Sequence, residues 1–260
     1  MSEEKKQSFT KEYYENKIKR EVRNKAVELS AECVKMANLL PAVKCVNNSK
    51  KVVFDTETTG LSEAYDEILQ ISIIDGEGNE LINSYVKPYW NDSWEEAQAI
   101  HGITKEMVKN APYIHELIPI LKGIFDSAEL IIAYNNSFDI GFIKRTGIDL
   151  SEKHQYDVMK EFAPYFGEWS NEYSTFKWQK LVNAARYFDY EFKAHDALED
   201  IRATLHCYNE LTSLQKSGKY DEMVKKNYEM VNKMFNKSND EKEKNITKRI
   251  TNISQGGRKR

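Results

Sequence analysis

Three apolar segments separated by polar turns constrain the fold of this 260-residue chain more than any other feature. The segments Lys51–Thr58, Glu67–Asp75 and Glu80–Lys87 have the length and the β-branched content of strands. A Gly-rich turn, Gly76–Asn79, joins the second and third segments. This succession predicts an antiparallel meander near the start of the main domain.

Helical periodicity dominates the chain after the meander. Helices are predicted at about 8–38, 93–100, 104–110, 113–126, 139–145, 175–187, 197–214 and 220–235, with a fourth strand at Leu130–Tyr134. Strands followed by helices that return to another strand are typical of a mixed sheet covered by helices. The sequence therefore predicts an α/β fold with helical extensions at both ends.

Composition shifts along the chain suggest three parts: a helical N-terminal extension at 1–50, a main domain at 51–214, and a C-terminal helix with a basic, disordered tail at 215–260. Lys and Arg outnumber Asp and Glu by 11 to 7 in residues 1–50 and by 11 to 6 in residues 221–260. Because the net charge is −3, the middle of the chain carries −12. Such a segment repels a polyanion unless cations intervene.

Cysteine content and hydropathy narrow the location of the protein. The three cysteines form no CxxC pair, which argues against a disulfide framework and against a cysteine zinc site. No stretch approaches the roughly 20 apolar residues of a membrane span. The N-terminus is charged where a signal peptide needs an apolar run. These features predict a soluble, cytoplasmic protein without a membrane partner.

Two carboxylates end the first predicted strand. Asp55 and Glu57 are two residues apart, so their side chains point to the same face of the strand. Neighbouring carboxylates repel each other unless a cation lies between them, and carboxylate oxygens suit Mg²⁺ or Mn²⁺. A solvated strand end is the simplest alternative, but the apolar run Val52–Phe54 before the acids and Thr58-Thr59-Gly60 after them favour a metal site.

Two further places carry acids near predicted helix starts. Asp139 follows an apolar strand and a short polar turn, and Asp200 lies in the first turn of a helix that Asp196 would cap. Taken alone, each acid could simply favour the positive end of a helix macrodipole. Because an unperturbed histidine changes charge near neutral pH, His195, just before that helix, could accept a proton from a metal-bound water.

Together these residues resemble the three motifs of the DEDDh 3′–5′ exonucleases, most closely those of the proofreading ε subunit of bacterial DNA polymerase III. The resemblance rests on Asp55-Thr56-Glu57-Thr58-Thr59-Gly60-Leu61, on Asn135-x-x-Phe138-Asp139, and on His195 five residues before Asp200. A fourth similar segment is Ile100-His101-Gly102-Ile103-Thr104. The likeness covers about residues 51–212 and implies a ribonuclease-H-like fold.

The resemblance also implies a role for each matching position. The metal ligands would be Asp55, Glu57, Asp139 and Asp200, and the general base would be His195. The side chains that border the terminal nucleotide would be Thr58, Leu61 and His101. Two divalent cations, Mg²⁺ or Mn²⁺, would then support hydrolysis of the terminal phosphodiester and release nucleoside 5′-monophosphates from the 3′ end of a single strand.

Three functions remain open from the sequence. The first is a DNA 3′–5′ exonuclease, and the second is an exoribonuclease of the same fold, since the motifs do not reveal contacts to the 2′ position. The third is a non-catalytic assembly module, which a complete set of repelling acids argues against. The basic terminal extensions could bind nucleic acid, a polymerase or another protein.

Overall fold

The computed structural model describes residues 50–194 and 196–235. The strands are Lys51–Thr58 (β1), Ile68–Asp75 (β2), Glu80–Tyr85 (β3), Leu130–Ala133 (β4), His154–Asp157 (β5), Trp169–Ser170 (β6) and Thr175–Phe176 (β7). The helices are Glu95–His101 (α1), Lys105–Val108 (α2), Ile114–Ser127 (α3), Asn136–Arg145 (α4), Val158–Phe166 (α5), Leu181–Tyr187 (α6), Ala197–Lys216 (α7) and residues 219–235 (α8). None of the described helices is long and apolar enough to cross a bilayer.

A five-stranded mixed sheet forms the frame, in the order β3-β2-β1-β4-β5. β1 pairs antiparallel with β2, and β2 pairs antiparallel with β3, which confirms the predicted meander. β4 lies parallel to β1 on its other side, and β5 lies parallel to β4. The predicted α/β class with a mixed sheet flanked by helices is confirmed.

The main core lies between the sheet and α3. Val52 and Phe54 alternate with Val53 and Asp55 along β1, so the first pair faces α3 and the second pair faces away. Phe54 meets Phe125 of α3 edge to face, with ring centroids 5.3 Å apart. On the opposite face, the Tyr208 ring of α7 lies under the Lys51 ammonium, 5.4 Å from its centroid.

The described residues divide into two compact units. The first comprises residues 50–158 and 181–208 and contains the five-stranded sheet. The second comprises residues 159–180 and 209–235 and contains the β6-β7 hairpin. Inside the second unit, the Tyr220 hydroxyl donates to the Glu161 carbonyl at 2.8 Å. The predicted domain boundaries, 1–50, 51–214 and 215–260, stay a prediction.

Several element predictions need correction. β5 and α5 were not predicted. The residues of β5 are mostly polar, and its extended conformation depends on pairing with β4. The helix predicted at 175–187 begins only at Leu181, since Thr175–Phe176 pairs with Trp169–Ser170. α4 begins at Asn136, three residues before the predicted start. The predicted helix at 8–38 and the predicted disorder of the tail beyond residue 235 lie outside the described residues.

Candidate metal centre

The end of β1 presents two carboxylates on the face that points away from α3. Asp55 and Glu57 are half-buried, while the intervening Thr56 is 4% exposed and faces the other side. The strand alternation therefore separates the two acids from the apolar core and brings them to one surface. The predicted common orientation of these side chains follows from the observed strand.

The start of α7 supplies a third acid. The helix begins at Ala197, as predicted, and the Asp196 carboxylate accepts hydrogen bonds from the backbone N–H groups of Leu198 and Glu199 at 3.2 and 3.4 Å. This cap fixes the first turn, in which Asp200 lies. The side chain of Asp200 is thereby placed near the end of β1, although 143 residues of chain separate it from Glu57.

The three acids form a compact group. One carboxylate oxygen each from Asp55, Glu57 and Asp200 lies within 4.8 Å of the others. Burial raises the pKa of Asp55 to about 6. Burial, and then the charges of Asp55 and Asp200, raise the pKa of Glu57 to about 8. Ionising all three carboxyl groups therefore costs free energy in the absence of a cation. Hard oxygen donors at this spacing fit a divalent cation such as Mg²⁺ or Mn²⁺.

Asp139 contacts β1 at Thr56 and is not one of the three acids grouped within 4.8 Å. Its Oδ1 accepts hydrogen bonds from the Thr56 N–H at 2.9 Å and from the Thr56 hydroxyl at 2.6 Å. Burial and the charge of Asp55 raise the pKa of Asp139, while the two Thr56 hydrogen bonds oppose that rise. One carboxylate oxygen is thus used to anchor α4 to β1, and the second oxygen could serve as a cation ligand.

The start of α4 depends on an unusual backbone conformation. Asn135, the residue before the helix, has a φ of 65° in the left-handed region. Its N–H donates to the Asp157 carboxylate at the end of β5, at 3.2 Å. Because Ala133 pairs with Asp157 across β4 and β5, the sheet itself positions this acceptor. Asp157 consequently helps to set where Asp139 emerges from the helix.

Replacing Thr56 by valine is expected to lower cleavage about tenfold and to weaken the apparent affinity for Mg²⁺. The isosteric change removes the hydroxyl donor and leaves a buried carboxylate with one hydrogen bond fewer, at a cost of about 1–3 kcal/mol. A magnesium titration of the initial cleavage rate measures both effects. Thr56→Ser keeps the donor and should behave like the wild type; equal losses in both variants would contradict this role for the hydroxyl.

The other predicted site residues differ in burial and in hydrogen bonding. His195, the predicted general base, lies outside the described residues. Thr58 is buried, and its hydroxyl donates to the Gly60 carbonyl at 2.6 Å, so it stabilises the turn after β1. Leu61 is 87% exposed on the same turn. Its position leaves the side chain available to a ligand.

His101 contacts the strand that carries the acids. Its Nδ1 accepts the Ile103 N–H at 3.0 Å, which requires that nitrogen to be unprotonated. The neutral ring therefore donates from Nε2 to the Thr58 carbonyl at 3.2 Å. Gly102, with a φ of 74°, ends α1 immediately after the histidine and turns the chain back. His101 thus ties the loop after α1 to the end of β1.

Two positioning residues escaped the sequence analysis. Thr56 lies between two predicted ligands without a predicted role of its own, and Asp157 is not among the predicted site residues. A buried threonine between two carboxylates offers a hydroxyl to a third acid only if the fold brings that acid to it. The sequence contains no separate signal for that approach, because Asp139 is 83 residues away.

Comparison with known proteins agrees with this geometry. The family model for RNase_T, described as an exonuclease family, matches residues 52–208. An exonuclease of Escherichia phage 186, named as uncharacterized exonuclease CP81, is 37% identical over 168 residues, covering 60% of this chain and 84% of that protein. The PolC-type DNA polymerase III of Clostridium perfringens is 31% identical over 159 residues. That match covers 59% of this chain but only 10% of the polymerase.

Solved structures share the fold at lower identity. Exonuclease I of E. coli, in complex with a dA16 oligonucleotide, superposes with a TM-score of 0.52 at 21% identity, covering 66% of this chain and 42% of that one. Exonuclease I from Methylocaldum szegediense gives a TM-score of 0.50 at 21% identity, with coverages of 62% and 40%. Because the family match extends over more than half of the chain, this chain belongs to the exonuclease family, and the prediction that it is an exonuclease is confirmed.

Proposed function

We propose that this chain is a metal-dependent 3′–5′ exonuclease that releases nucleoside 5′-monophosphates from single-stranded DNA, with two divalent cations, Mg²⁺ or Mn²⁺, as cofactors. The observation that carries the proposal is the group formed by Asp55, Glu57 and Asp200, whose ligand oxygens lie within 4.8 Å of one another. In a protein of the exonuclease family, such a group has a direct use in phosphodiester hydrolysis.

The acids would bind the cations and thereby remove the repulsion that raises their pKa values. Asp55, Glu57 and Asp200 would hold one side of the centre, and Asp139 would contribute the oxygen that Thr56 does not occupy. Bound cations supply activation of the attacking water and neutralisation of charge on the scissile phosphate and the leaving oxygen. They also offset the negative charge of residues 51–220 toward a nucleic acid.

The remaining family positions would handle the proton and the terminal nucleotide. His195 would accept a proton from the attacking water, as its place five residues before Asp200 implies. Leu61, exposed beside the acids, would contact the terminal base or sugar. Thr58 and His101, which are hydrogen-bonded to each other, would shape the wall beside that nucleotide rather than donate to it.

The choice of DNA as substrate has two supports. The relatives include the PolC-type DNA polymerase III proteins, and the E. coli exonuclease that shares this fold was solved with a dA16 oligonucleotide. The second candidate is an exoribonuclease of the same fold, because no described contact distinguishes a 2′-hydroxyl from hydrogen. The PolC match further suggests a polymerase as partner, bound through the basic terminal extensions.

Degradation of matched DNA and RNA oligonucleotides, each labelled at the 5′ end, tests this function. With Mg²⁺ or Mn²⁺ we expect the DNA to shorten one nucleotide at a time from its 3′ end, with nucleoside 5′-monophosphates as products. Excess EDTA should stop the reaction, and fresh metal should restore it. Faster loss of the RNA would favour the second candidate, while release of the labelled 5′ nucleotide as the first product would contradict 3′–5′ polarity.

A further inference from the structure

Two aromatic side chains are partly exposed to solvent on the loops that follow β1 and β3. Tyr65, between β1 and β2, is 49% exposed, and Trp90, after β3, is 38% exposed. We call this pair the aromatic ledge. Large aromatic rings held at a protein surface are characteristic of contact sites, and flat rings suit the faces of unpaired bases in particular.

Hydrogen bonds from both flanking loops hold the ledge in place. The Trp90 indole N–H donates to the Tyr65 carbonyl at 3.2 Å. The Trp90 backbone N–H donates to the carboxylate of Glu67, which is only 8% exposed, at 3.0 Å. Arg145 donates to the Asp66 carbonyl at 2.9 Å and also to the Glu63 carbonyl. The Trp90 ring and the backbone at Tyr65 are therefore held in place before a ligand arrives, which lowers the entropic cost of binding.

The ledge lies a short distance from the acids. Asn91, next to Trp90, donates through its side-chain amide to the Thr59 hydroxyl, and Thr59 is two residues beyond Glu57. At about 3.3 Å per extended residue, this path sets an upper limit of roughly 15 Å on the distance from the ledge to Glu57. A stacked single strand advances about 3.4 Å per nucleotide. A strand whose 3′ end occupies the centre would thus reach the ledge within about four nucleotides.

Two positively charged side chains, Arg145 and Lys87, lie near Trp90. The Arg145 guanidinium lies 5.9 Å from the centre of the Trp90 ring. Trp90, Arg145 and Lys87 also line a cavity of about 80 Å³ whose other walls include Ile118 and Phe142. In a region of strongly negative net charge, positive side chains beside exposed rings match a ligand that combines flat bases with phosphates.

The acids of the same cavity are engaged within the protein. Asp66 accepts hydrogen bonds from the Thr59 hydroxyl and the Ser62 N–H, at 3.0 and 2.8 Å. Glu67 accepts N–H groups from Tyr89 at 2.6 Å and from Asn91 at 2.9 Å, besides that of Trp90. These donors satisfy the hydrogen-bonding capacity of the carboxylates and order the loops, while Arg145 and Lys87 balance their two negative charges in the cavity lining.

We propose that the aromatic ledge is a second binding subsite, at which bases within about four nucleotides of the 3′ end of a single-stranded substrate stack on Trp90 and Tyr65, with Arg145 beside the phosphates. This inference rests on the proposed function, because it takes the strand to run from the metal centre. It assigns to the ledge a role in affinity for the strand and none in the chemical step.

The test compares KM and kcat for a DNA dinucleotide and a DNA octamer. Trp90→Ala and Tyr65→Ala should each raise KM for the octamer about tenfold, from the typical effect of losing one stacking contact, while kcat and the KM for the dinucleotide stay unchanged. Trp90→Phe keeps a ring and should recover most of the affinity. The matched control is Trp178→Ala, which removes a tryptophan that is 63% exposed in the second unit and should change neither constant.

Octamer binding without cleavage provides an independent measurement. Fluorescence anisotropy in EDTA should show the same tenfold loss for both ledge variants, whether or not the wild type is active. If the two ledge variants bind and cleave the octamer with unchanged affinity and KM, the proposed subsite is wrong. It is also wrong if their KM for the dinucleotide rises by the same factor. By contrast, a wild type that binds the octamer through the ledge but degrades neither DNA nor RNA would overturn the proposed function alone.

Discussion

Asp55→Ala is expected to lower kcat on a DNA oligonucleotide by at least about a thousandfold. The variant loses one of three grouped ligands, and bound metal supplies several kcal/mol of transition-state stabilisation, at about 1.4 kcal/mol per factor of ten. The metal-free variant should be as stable as the metal-free wild type or more so, because removing one carboxylate relieves repulsion. Cleavage assays with Mg²⁺ and calorimetry in a chelator measure the two quantities.

A matched acid outside the centre provides the control for this substitution. Asp92 is exposed on the loop after β3, and Asp92→Ala should retain wild-type activity and stability. Asp200→Ala should reproduce the behaviour of Asp55→Ala, since both carboxylates belong to the same group. Wild-type cleavage by either grouped variant would rule out the proposed centre, even if the enzyme itself proved active.

The metal-free protein is expected to lose stability as the pH rises from about 4.5 to about 8. The folded-state pKa of Glu57 is about 8, above its ordinary value of 4.5. The stabilisation is therefore fully present below the ordinary pKa and is lost as the pH rises through the folded value. Asp55, raised from 3.8 to about 6, acts in the same direction at lower pH.

The size of this loss can be bounded. Each pKa unit corresponds to about 1.4 kcal/mol, and partial solvation of a half-buried carboxyl reduces the net effect to about 2–3 kcal/mol. For a protein of this size, that amounts to a fall in Tm of about 5–10 °C, measurable by calorimetry in EDTA. Glu57→Gln should flatten the pH dependence, and Mg²⁺ should raise Tm most at high pH. A wild-type Tm that rises over this range relative to Glu57→Gln would refute the assignment.

The strongly patterned elements could be predicted from the sequence. β1, β2 and β3 follow from β-branched runs bounded by a Gly-rich turn, and α3 and α7 from apolar periodicity. β5 could not be predicted, because its four residues include little apolar alternation and its strand character comes from pairing with β4. The same reason explains β6 and β7, two-residue strands that exist only as a pair.

The positions of the candidate acids could also be predicted from local sequence patterns. Strand alternation is a local property, so the common orientation of Asp55 and Glu57 follows from their spacing alone. The start of α7 is also local, since Asp196 caps it two residues from its own position. By contrast, the Thr56 anchor of Asp139 and the Asp157 acceptor for Asn135 join residues that are distant in sequence.

The sequence by itself determined the fold class, the family likeness and the identity of the acids, because periodicity, turn chemistry and motif spacing act over a few residues. Only the tertiary structure decided that Asp200 joins Asp55 and Glu57 while Asp139 binds Thr56. Only the tertiary structure, likewise, brought Tyr65 and Trp90 together as one ledge. Contacts of this kind depend on how the sheet and the loops pack, and packing is a property of the whole domain.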